Sequence, residues 1–412
     1  MDRDFLSTLF EKAVEAAQPA LAVSRHLPEK PKGRTLVIGA GKASAKMARA
    51  FEEAWDGEIF GLVVTRYGYG ETCAKIEIVE AAHPVPDANG LEAAQRMMAM
   101  VRGLTPDDLV VALISGGGSA LLPAPADGLD LADEQAINRA LLASGAPIGV
   151  MNLIRNQFST IKGGRLAAAC APARVATLIV SDVPGDDPSL IASGPTIPLS
   201  GDRSEARRLA KLYDISLPAS AQALLESDAN LAPRPDDPVF VGNSVVTIAS
   251  AALSLNAAAL EARQQRIEAA ILSDSIEGEA RDVALVHAAM AREVSARGQP
   301  FAKPVVLLSG GETTVTLRGK GRGGRNAEFL LSLAIALDGV SNVTALAADT
   351  DGIDGTEDNA GAFVDGTSAQ RMREKGIDPR AALANNDAYS AFEAIGDLFV
   401  TGPTGTNVND FR

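Results

Sequence analysis

A regular alternation of short apolar runs with helix-period segments constrains this chain most. Thr35–Ile38, Gly61–Thr65, Ile76–Val79, Leu109–Ile114 and Arg174–Val180 read as strands; Ala43–Ala54, Leu91–Val101, Ala132–Leu142 and Gly149–Ala169 read as helices between them. Leu109–Ile114 is apolar throughout, the pattern of a strand covered on both faces. Such alternation folds into a mostly parallel sheet. Right-handed crossovers then gather the loops that follow the strands along one edge, where α/β proteins bind ligands.

At 412 residues the chain exceeds one ordinary core. Asp228–Pro238, with Pro233, Pro235 and Pro238 and no apolar period, reads as a linker. It separates a Rossmann-like domain over 1–235 from a second α/β domain over 239–412. Beyond it, Val239–Val241 reads as a strand, Val245–Ala262 as a helix, Arg266–Leu272 as a strand and Gly278–Glu293 as a helix. Strands Pro304–Leu308 and Thr313–Leu317 follow, joined by a Ser309-Gly-Gly-Glu312 turn, then helix Glu328–Leu337 and strands Asn342–Ala347 and Leu398–Val400. The expected class is α/β, with two three-layer domains and mostly parallel or mixed sheets.

Composition narrows the function. A formal net charge of −14 repels duplex nucleic acid and anionic membrane surfaces, while small anions need only a local positive pocket. The two cysteines, Cys73 and Cys170, lack metal-ligand spacing, which suits a reducing compartment. The three histidines, His26, His83 and His287, lie far apart and suggest no zinc site. Phe5, Leu6, Leu9, Phe10, Ala13 and Val14 fall at helical spacing among charges, an amphipathic helix and not a signal peptide. The most apolar helix candidate, Val245–Leu260, is too short and too polar to span a bilayer. A soluble cytoplasmic protein is expected.

The glycine-rich motifs carry the chemistry. Arg322-Gly-Gly-Arg-Asn-Ala-Glu328 opens a helical pattern, so two arginines and free backbone amides converge at a helix N-terminus suited to an anion. Val37-Ile-Gly-Ala-Gly-Lys-Ala-Ser44 is a strand, a glycine turn and a helix start. As a dinucleotide fingerprint it lacks the third glycine, and the next strand ends in Arg66 where an NAD site wants an acid. As a Walker loop its spacing is too short. What remains is Lys42 at a helix N-terminus, suited to phosphate. Ser115-Gly-Gly-Gly-Ser-Ala120 could form an amide nest. Arg155, Lys162 and Arg165 partly share a helical face that Gly163-Gly164 interrupts. Ser181-Asp-Val-Pro-Gly-Asp-Asp187 and Asp349-Thr-Asp-Gly-Ile-Asp354 put carboxylates after strands, where Mg²⁺ needs only one or two of them plus phosphates. Thr401-Gly-Pro-Thr-Gly-Thr-Asn407 is a polar loop. Each motif also has a plain reading as a structural turn.

Taken together and in order, Gly-Ala-Gly-Lys42, Ser-Gly-Gly-Gly-Ser119, Lys-Gly-Gly-Arg165, Ser-Asp-Val-Pro-Gly-Asp-Asp187, Gly-Asn-Ser244, Ser-Gly-Gly-Glu-Thr313, Gly-Arg-Gly-Gly-Arg-Asn326, Asp-Thr-Asp-Gly-Ile-Asp-Gly355 and Thr-Gly-Pro-Thr-Gly-Thr-Asn-Val408 resemble the glycerate 2-kinase family. In that family the C-terminal half contains the MOFRL region, here about 300–410. The resemblance implies a two-domain α/β protein with its active site in the cleft between the domains. It implies transfer of the ATP γ-phosphoryl group to the 2-hydroxyl of D-glycerate, assisted by Mg²⁺. Lys42 and Arg325 are the implied essential cations, with Asp187 a candidate base. Implied ATP contacts are Gly39, Gly41, Ser44, Gly116, Gly117, Gly118, Ser119, Asn243, Gly310, Gly311, Glu312, Thr313, Gly323 and Gly324. Arg155, Lys162, Thr404, Thr406 and Asn407 are candidates for the substrate, and Asp182, Asp187 and Asp351 for the metal. The expected partners are small molecules, and a homodimer is compatible with the sequence. An NAD(P)H-dependent hydroxypyruvate reductase and a non-catalytic hydroxy-acid binding protein are the rival readings.

Overall fold

The computed structural model describes residues 3–183 and 185–412. The chain forms two compact units: Pro19–Ile248, and Ala249–Arg412 joined by the first segment through Gln18.

The sheet of the Pro19–Ile248 unit contains β1 (Thr35–Ala40), β2 (Ile59–Arg66), β3 (Ile76–Ala81), β4 (Leu109–Ser115), β5 (Arg174–Val180) and β6 (Ser244–Ala249), in the order β3-β2-β1-β4-β5-β6. β1 to β5 run parallel in register: Thr35 sits level with Ile59 and Leu109, and Leu109 with Arg174. Their C-terminal ends therefore share one edge. After β3 the chain returns to place β4 beside β1, which opens a crevice between the loops that follow these two strands. Ile38, Val64, Val110 and Ile114, packed against Met97 of helix Ala88–Met100, form the core that fixes this edge.

The second sheet is mixed. It holds β7 (Glu268–Glu279), β8 (Val305–Thr314), β9 (Thr344–Asp349), β10 (Gly361–Asp365), β11 (Leu398–Phe399) and β12 (Asp410–Phe411), ordered β11-β10-β9-β12-β8-β7. Only β7 and β8 pair in parallel; β12 is antiparallel to both β8 and β9. The amphipathic helix expected at the N-terminus is Arg3–Ala16. Its Phe10 ring meets the edges of Phe399 at 5.2 Å and Phe411 at 5.7 Å.

The observed division differs from the expected one in two places. Helix Arg3–Ala16 buries Phe5, Leu9, Phe10 and Ala13 against Leu255 and Ala258, so it belongs with Ala249–Arg412. The expected linker ends one strand too early, because Ser244–Ala249 completes the first sheet. That strand replaces the start of the helix expected from Val245. The helix begins at Ala251 instead, capped by the Ser250 hydroxyl accepting from Leu253 N–H at 3.4 Å. In place of the strand expected over Val239–Val241 stands a short 3₁₀ turn, Pro238–Phe240. The helix expected over Gly149–Ala169 breaks into Ile148–Asn156 and Arg165–Ala169, since Gly163 and Gly164 both adopt left-handed φ (63° and 81°). Val305–Thr314 is one strand, with no turn at Ser309–Glu312. Gly311 reaches φ 131° there, and a Cβ on it would lie 2.2 Å from the Ile276 carbonyl oxygen.

Candidate active site

In the Pro19–Ile248 unit, three of the sequence motifs converge on the crevice between β1 and β4. The turn after β1 is pinned to the turn after β4: Lys42 N–H donates to Gly116 O at 2.9 Å, and Ala43 N–H to Ser115 Oγ at 3.0 Å. The buried Ser44 hydroxyl completes the contact with Ser115 Oγ at 3.1 Å. Glycine is required for the approach: a Cβ on Gly41 would sit 2.1 Å from Ser115 Oγ, and one on Gly118 would sit 2.8 Å from Ala40 O. Gly39 plays a different part, fitting β1 against Leu113 O of β4.

Gly117, left-handed at φ 80°, faces a group of polar side chains. The position a Cβ would take there lies 3.2 Å from both His83 Nε2 and Lys42 Cε. Across Gly116 stands Asp182, whose Oδ2 would be 1.7 Å from a Cβ on that residue. A cation, an imidazole and a carboxylate thus surround one glycine turn. Burial first, then the charges of Lys42 and Arg66, push the His83 imidazole down to about 4, so it is neutral at physiological pH. Its ring nitrogens make no hydrogen bond among the described residues. His83 follows β3 with no local motif around it, and only the sheet order brings it here.

The same crevice holds a hydroxyl–amide–guanidinium group. Ser119 Oγ lies 2.8 Å from Ser193 Oγ, which donates to Asn152 Oδ1 at 3.0 Å. Arg155 reaches Ser193 Oγ at 3.3 Å and also bonds Asn152 Oδ1 and Asn138. Ser193 and its neighbour Ala192 have left-handed φ values of 61° and 53°. Each is a strained backbone position for a residue with a Cβ, costing on the order of 1 kcal/mol or more. Lys-Gly-Gly-Arg165 braces this segment, with Gly163 N–H and Gly164 N–H donating to Ser193 O and Gly194 O at 3.1 and 2.7 Å.

Several expected contacts lie elsewhere. Lys162 is fully buried and gives its ammonium to Glu134, whose other oxygen accepts from Ala124 N–H at 3.1 Å; it is not exposed to a substrate. Asn243 accepts from Val175 N–H at 2.7 Å, at the start of β5 and so on the edge of the sheet away from the crevice. Asp187 is exposed and spends Oδ1 on the Ser189 N–H and hydroxyl at 2.9 and 2.7 Å. Pro184, within the same motif, lies outside the described residues.

The Ala249–Arg412 unit contains a carboxylate–arginine network. Arg325, first residue of helix Arg325–Ala336, donates to Asp410 at 2.5 Å, Asp349 at 2.7 Å and Glu312 at 3.4 Å. Burial alone would lower its pKa, but Asp410 and Asp349 outweigh that and hold it above the usual value. Asp410 also accepts from Thr313, Asn326 and Arg412. Burial raises the Asp349 carboxyl well above the usual carboxylate range, although Arg325 opposes the shift. The helix N-terminus expected to hold a ligand anion is occupied by the protein's own: Asn326 N–H and Ala327 N–H donate to Asp354 at 2.9 and 2.8 Å. Gly324 leaves room for this carboxylate, which a Cβ would approach to 2.4 Å, and Gly323 turns the chain into the helix at φ 138°.

Gly310 and Gly311 lie inside β8 opposite Phe411 and Asp410, so they form no amide nest. Thr406 donates to Ala17 O at 2.7 Å and is buried, while Thr404 donates its N–H to Asp351 O at 3.0 Å and its hydroxyl to Thr350 O at 2.5 Å. Asp351 accepts from Ile353 N–H at 2.8 Å and from Asn407 Nδ2 at 3.4 Å. No group of three or more metal-ligating side chains occurs among the described residues.

Fold and site together define a doubly wound α/β protein whose polar crevice, at the switch point of its sheet, suits a phosphorylated or carboxylated small molecule. Comparison with known proteins then fixes its kinship. Residues 5–226 match a domain family of unknown function, DUF4147, and residues 305–410 match the MOFRL family. A D-glycerate 2-kinase from Thermotoga maritima is 39% identical over 98% of this chain and 95% of its own length. A crystal structure of glycerate kinase from the same species superimposes with TM-score 0.91 at 38% identity, covering 99% of this chain and 97% of that one. An Agrobacterium vitis protein carrying a provisional hydroxypyruvate reductase name is 52% identical over 100% of this chain and 93% of its own. The chain belongs to the glycerate 2-kinase family with a C-terminal MOFRL region.

Proposed function

We propose that the protein transfers the γ-phosphoryl group of ATP to the 2-hydroxyl of D-glycerate, giving 2-phosphoglycerate and ADP. The observation that carries this reading is the meeting of Lys42, His83 and Asp182 around the Gly116–Gly117 turn at the β1/β4 switch point. Phosphoryl transfer requires little covalent participation by the protein; it requires held oxygens and neutralised charge. Lys42 supplies the charge on the transferring group, and the turn supplies close backbone approach. Arg155, with Ser119 and Ser193, suits the glycerate carboxylate: a guanidinium and two hydroxyls grip it while Asn152 holds them in place.

Asp182 fits a Mg²⁺ ligand, since one carboxylate beside a phosphate-binding turn is enough when phosphates and waters complete the shell. When bound, the ion would neutralise charge on the phosphates. Asp187 fits less well, because one of its oxygens is committed to Ser189. Glu312, Thr313 and Arg325 form a separate polar network, and the proposed role of Arg325 is to keep Asp349 and Asp410 compensated.

One observation favours the reductase as a second reading. The strand order is that of dinucleotide-binding sheets, with Gly41 just after β1 and Arg66 at the end of β2, where an NADP 2′-phosphate could rest. A single comparison separates the two: ADP release from ATP and Mg²⁺ that depends on D-glycerate, against NADPH oxidation that depends on hydroxypyruvate. Turnover in the first alone supports the kinase, and turnover in the second alone overturns it.

A further inference from the structure

Phosphoryl transfer to an alcohol leaves a proton to be placed, and none of the roles given above takes it. Asp187, the carboxylate expected for this task, is exposed and has one oxygen committed to Ser189. Asp182 is proposed for the metal, and a carboxylate facing a cation is a poorer proton acceptor. Lys42 brings donors and no acceptor. His83 is the group of this crevice that has no role yet.

His83 stands two residues beyond the end of β3. Its Nε2 and Cδ2 both lie 3.2 Å from the position a Cβ on Gly117 would take, and Lys42 Cε lies 3.2 Å from the same point. The imidazole edge and the lysine stem therefore flank one spot on the glycine turn. Two residues along the chain, Ser119 Oγ meets Ser193 Oγ, which also receives Arg155, the group that suits the glycerate carboxylate. The α-carbons of Gly117 and Ser119 are at most about 7.6 Å apart, the reach of a small hydroxy acid. With its carboxylate at Ser119 and Arg155, the hydroxyl on the neighbouring carbon points towards Gly117, where His83 and Lys42 meet.

The ring is also in the right state to accept. Among the described residues its nitrogens have no hydrogen-bond partner. Burial, then Lys42 and Arg66, holds the imidazole neutral with a pKa of about 4. The charged groups around it are Lys42 from the turn after β1, Arg66 from the end of β2, and Asp182 across Gly116. The two cations disfavour an imidazolium before substrates bind. A bound triphosphate and a bound carboxylate oppose that field, because nearby negative charge favours the protonated ring. The ring becomes a better proton acceptor once both substrates are in place.

We propose, resting on the kinase reading of this same crevice, that His83 is its catalytic base: Nε2 accepts the proton of the glycerate 2-hydroxyl as that oxygen bonds to the γ-phosphorus. In the same step the bond from the γ-phosphorus to the β–γ bridging oxygen breaks, and ADP leaves with the electron pair. The imidazolium then gives its proton to water, which restores the neutral ring and releases one proton per turnover. Before the step the ring carries its single proton on Nδ1.

The test measures ADP release by the parent, His83→Gln and His83→Ala with saturating ATP, Mg²⁺ and D-glycerate. Glutamine still donates a hydrogen bond but takes no proton, which separates a base from a mere donor. The ring holds no protein partner, so both variants are expected to fold. His83→Gln should lower kcat about 10²–10⁴-fold and leave the KM for glycerate within about threefold, the scale of a lost general base. Added imidazole should raise the rate of His83→Ala about tenfold or more, in proportion to its free base as the pH is varied. The proposal is overturned if His83→Gln keeps kcat within about threefold of the parent, if the loss appears in KM alone, or if imidazole leaves His83→Ala unchanged. A parent that releases no ADP with D-glycerate gives a different failure: the kinase reading falls, and the base falls with it.

Discussion

Replacing Arg325 by alanine leaves two buried carboxylates without their shared cation. The side chains of Asp410 and Asp349 are 0% and 7% exposed, and Arg325 itself is 23% exposed, so solvent cannot substitute for the guanidinium. Breaking a buried pair by removing one partner costs about 3–5 kcal/mol. Asp410 keeps Arg412, Thr313 and Asn326, which places the loss near the lower end, about 3 kcal/mol. For a unit of this size that lowers the melting temperature by about 6–12 °C. The sign with pH follows from Asp349. Its folded pKa is already raised, and removing Arg325 raises it further. A raised folded pKa gives stability that is present at low pH and lost as pH rises through it. The deficit of Arg325→Ala should therefore be smaller at pH 5 than at pH 8. Calorimetry of parent and variant at both pH values is the assay. A melting temperature changed by less than about 2 °C, or a deficit that shrinks on raising the pH, would refute the reasoning.

Lys42→Met should keep the fold and lower kcat about 10²–10³-fold, as loss of one charge-stabilising donor does. In the same variant the His83 imidazole should titrate closer to its ordinary value, rising from about 4, because Lys42 contributes to the depression after burial; proton NMR of the ring reads this. Lys162→Met should destabilise by about 3–5 kcal/mol in chemical denaturation, and adding Glu134→Gln should restore most of the loss with the KM for glycerate unchanged. A substrate role for Lys162 would instead leave KM raised in the double variant. Asp354 is raised from 3.8 to about 6, chiefly by burial, so its contribution falls by about 3 kcal/mol as pH rises from 4 through 6. Asp354→Asn should flatten that part of the stability profile, which denaturation at pH 4 and pH 7 will measure.

Much of the first unit is legible in the sequence because its strands are buried on both faces and its turns need glycine. Val110–Ile114 and the triglycine turn announce themselves by composition, and parallel-sheet topology then puts Lys42 and Ser115–Ser119 on one edge. His83 is not legible, because nothing beside it in sequence marks it; its place depends on β3 being two strands away from β1. The second unit is harder to read. Ser309-Gly-Gly-Glu312 has the composition of a turn, yet β7 and β12 on either side keep it extended. The Arg-Gly-Gly-Arg signal at the helix start is a true anion signal, but its anion, Asp354, comes from a motif that reads equally well as a metal site. Lys162 and Thr406 carry ligand-like chemistry and are buried in structural bonds, a distinction only tertiary packing makes. Asn243 is hidden for a simpler reason: the segment after it has a helical pattern in the sequence but forms β6, which sets the Asn243 side chain beside the start of β5.

The central claim is phosphorylation of a hydroxy acid at one oxygen, and ³¹P NMR of the protein incubated with ATP, Mg²⁺ and D-glycerate tests it most directly. The account predicts growth of a 2-phosphoglycerate resonance matched by ADP. A 3-phosphoglycerate signal, or no phosphorylated product from folded protein, would contradict it.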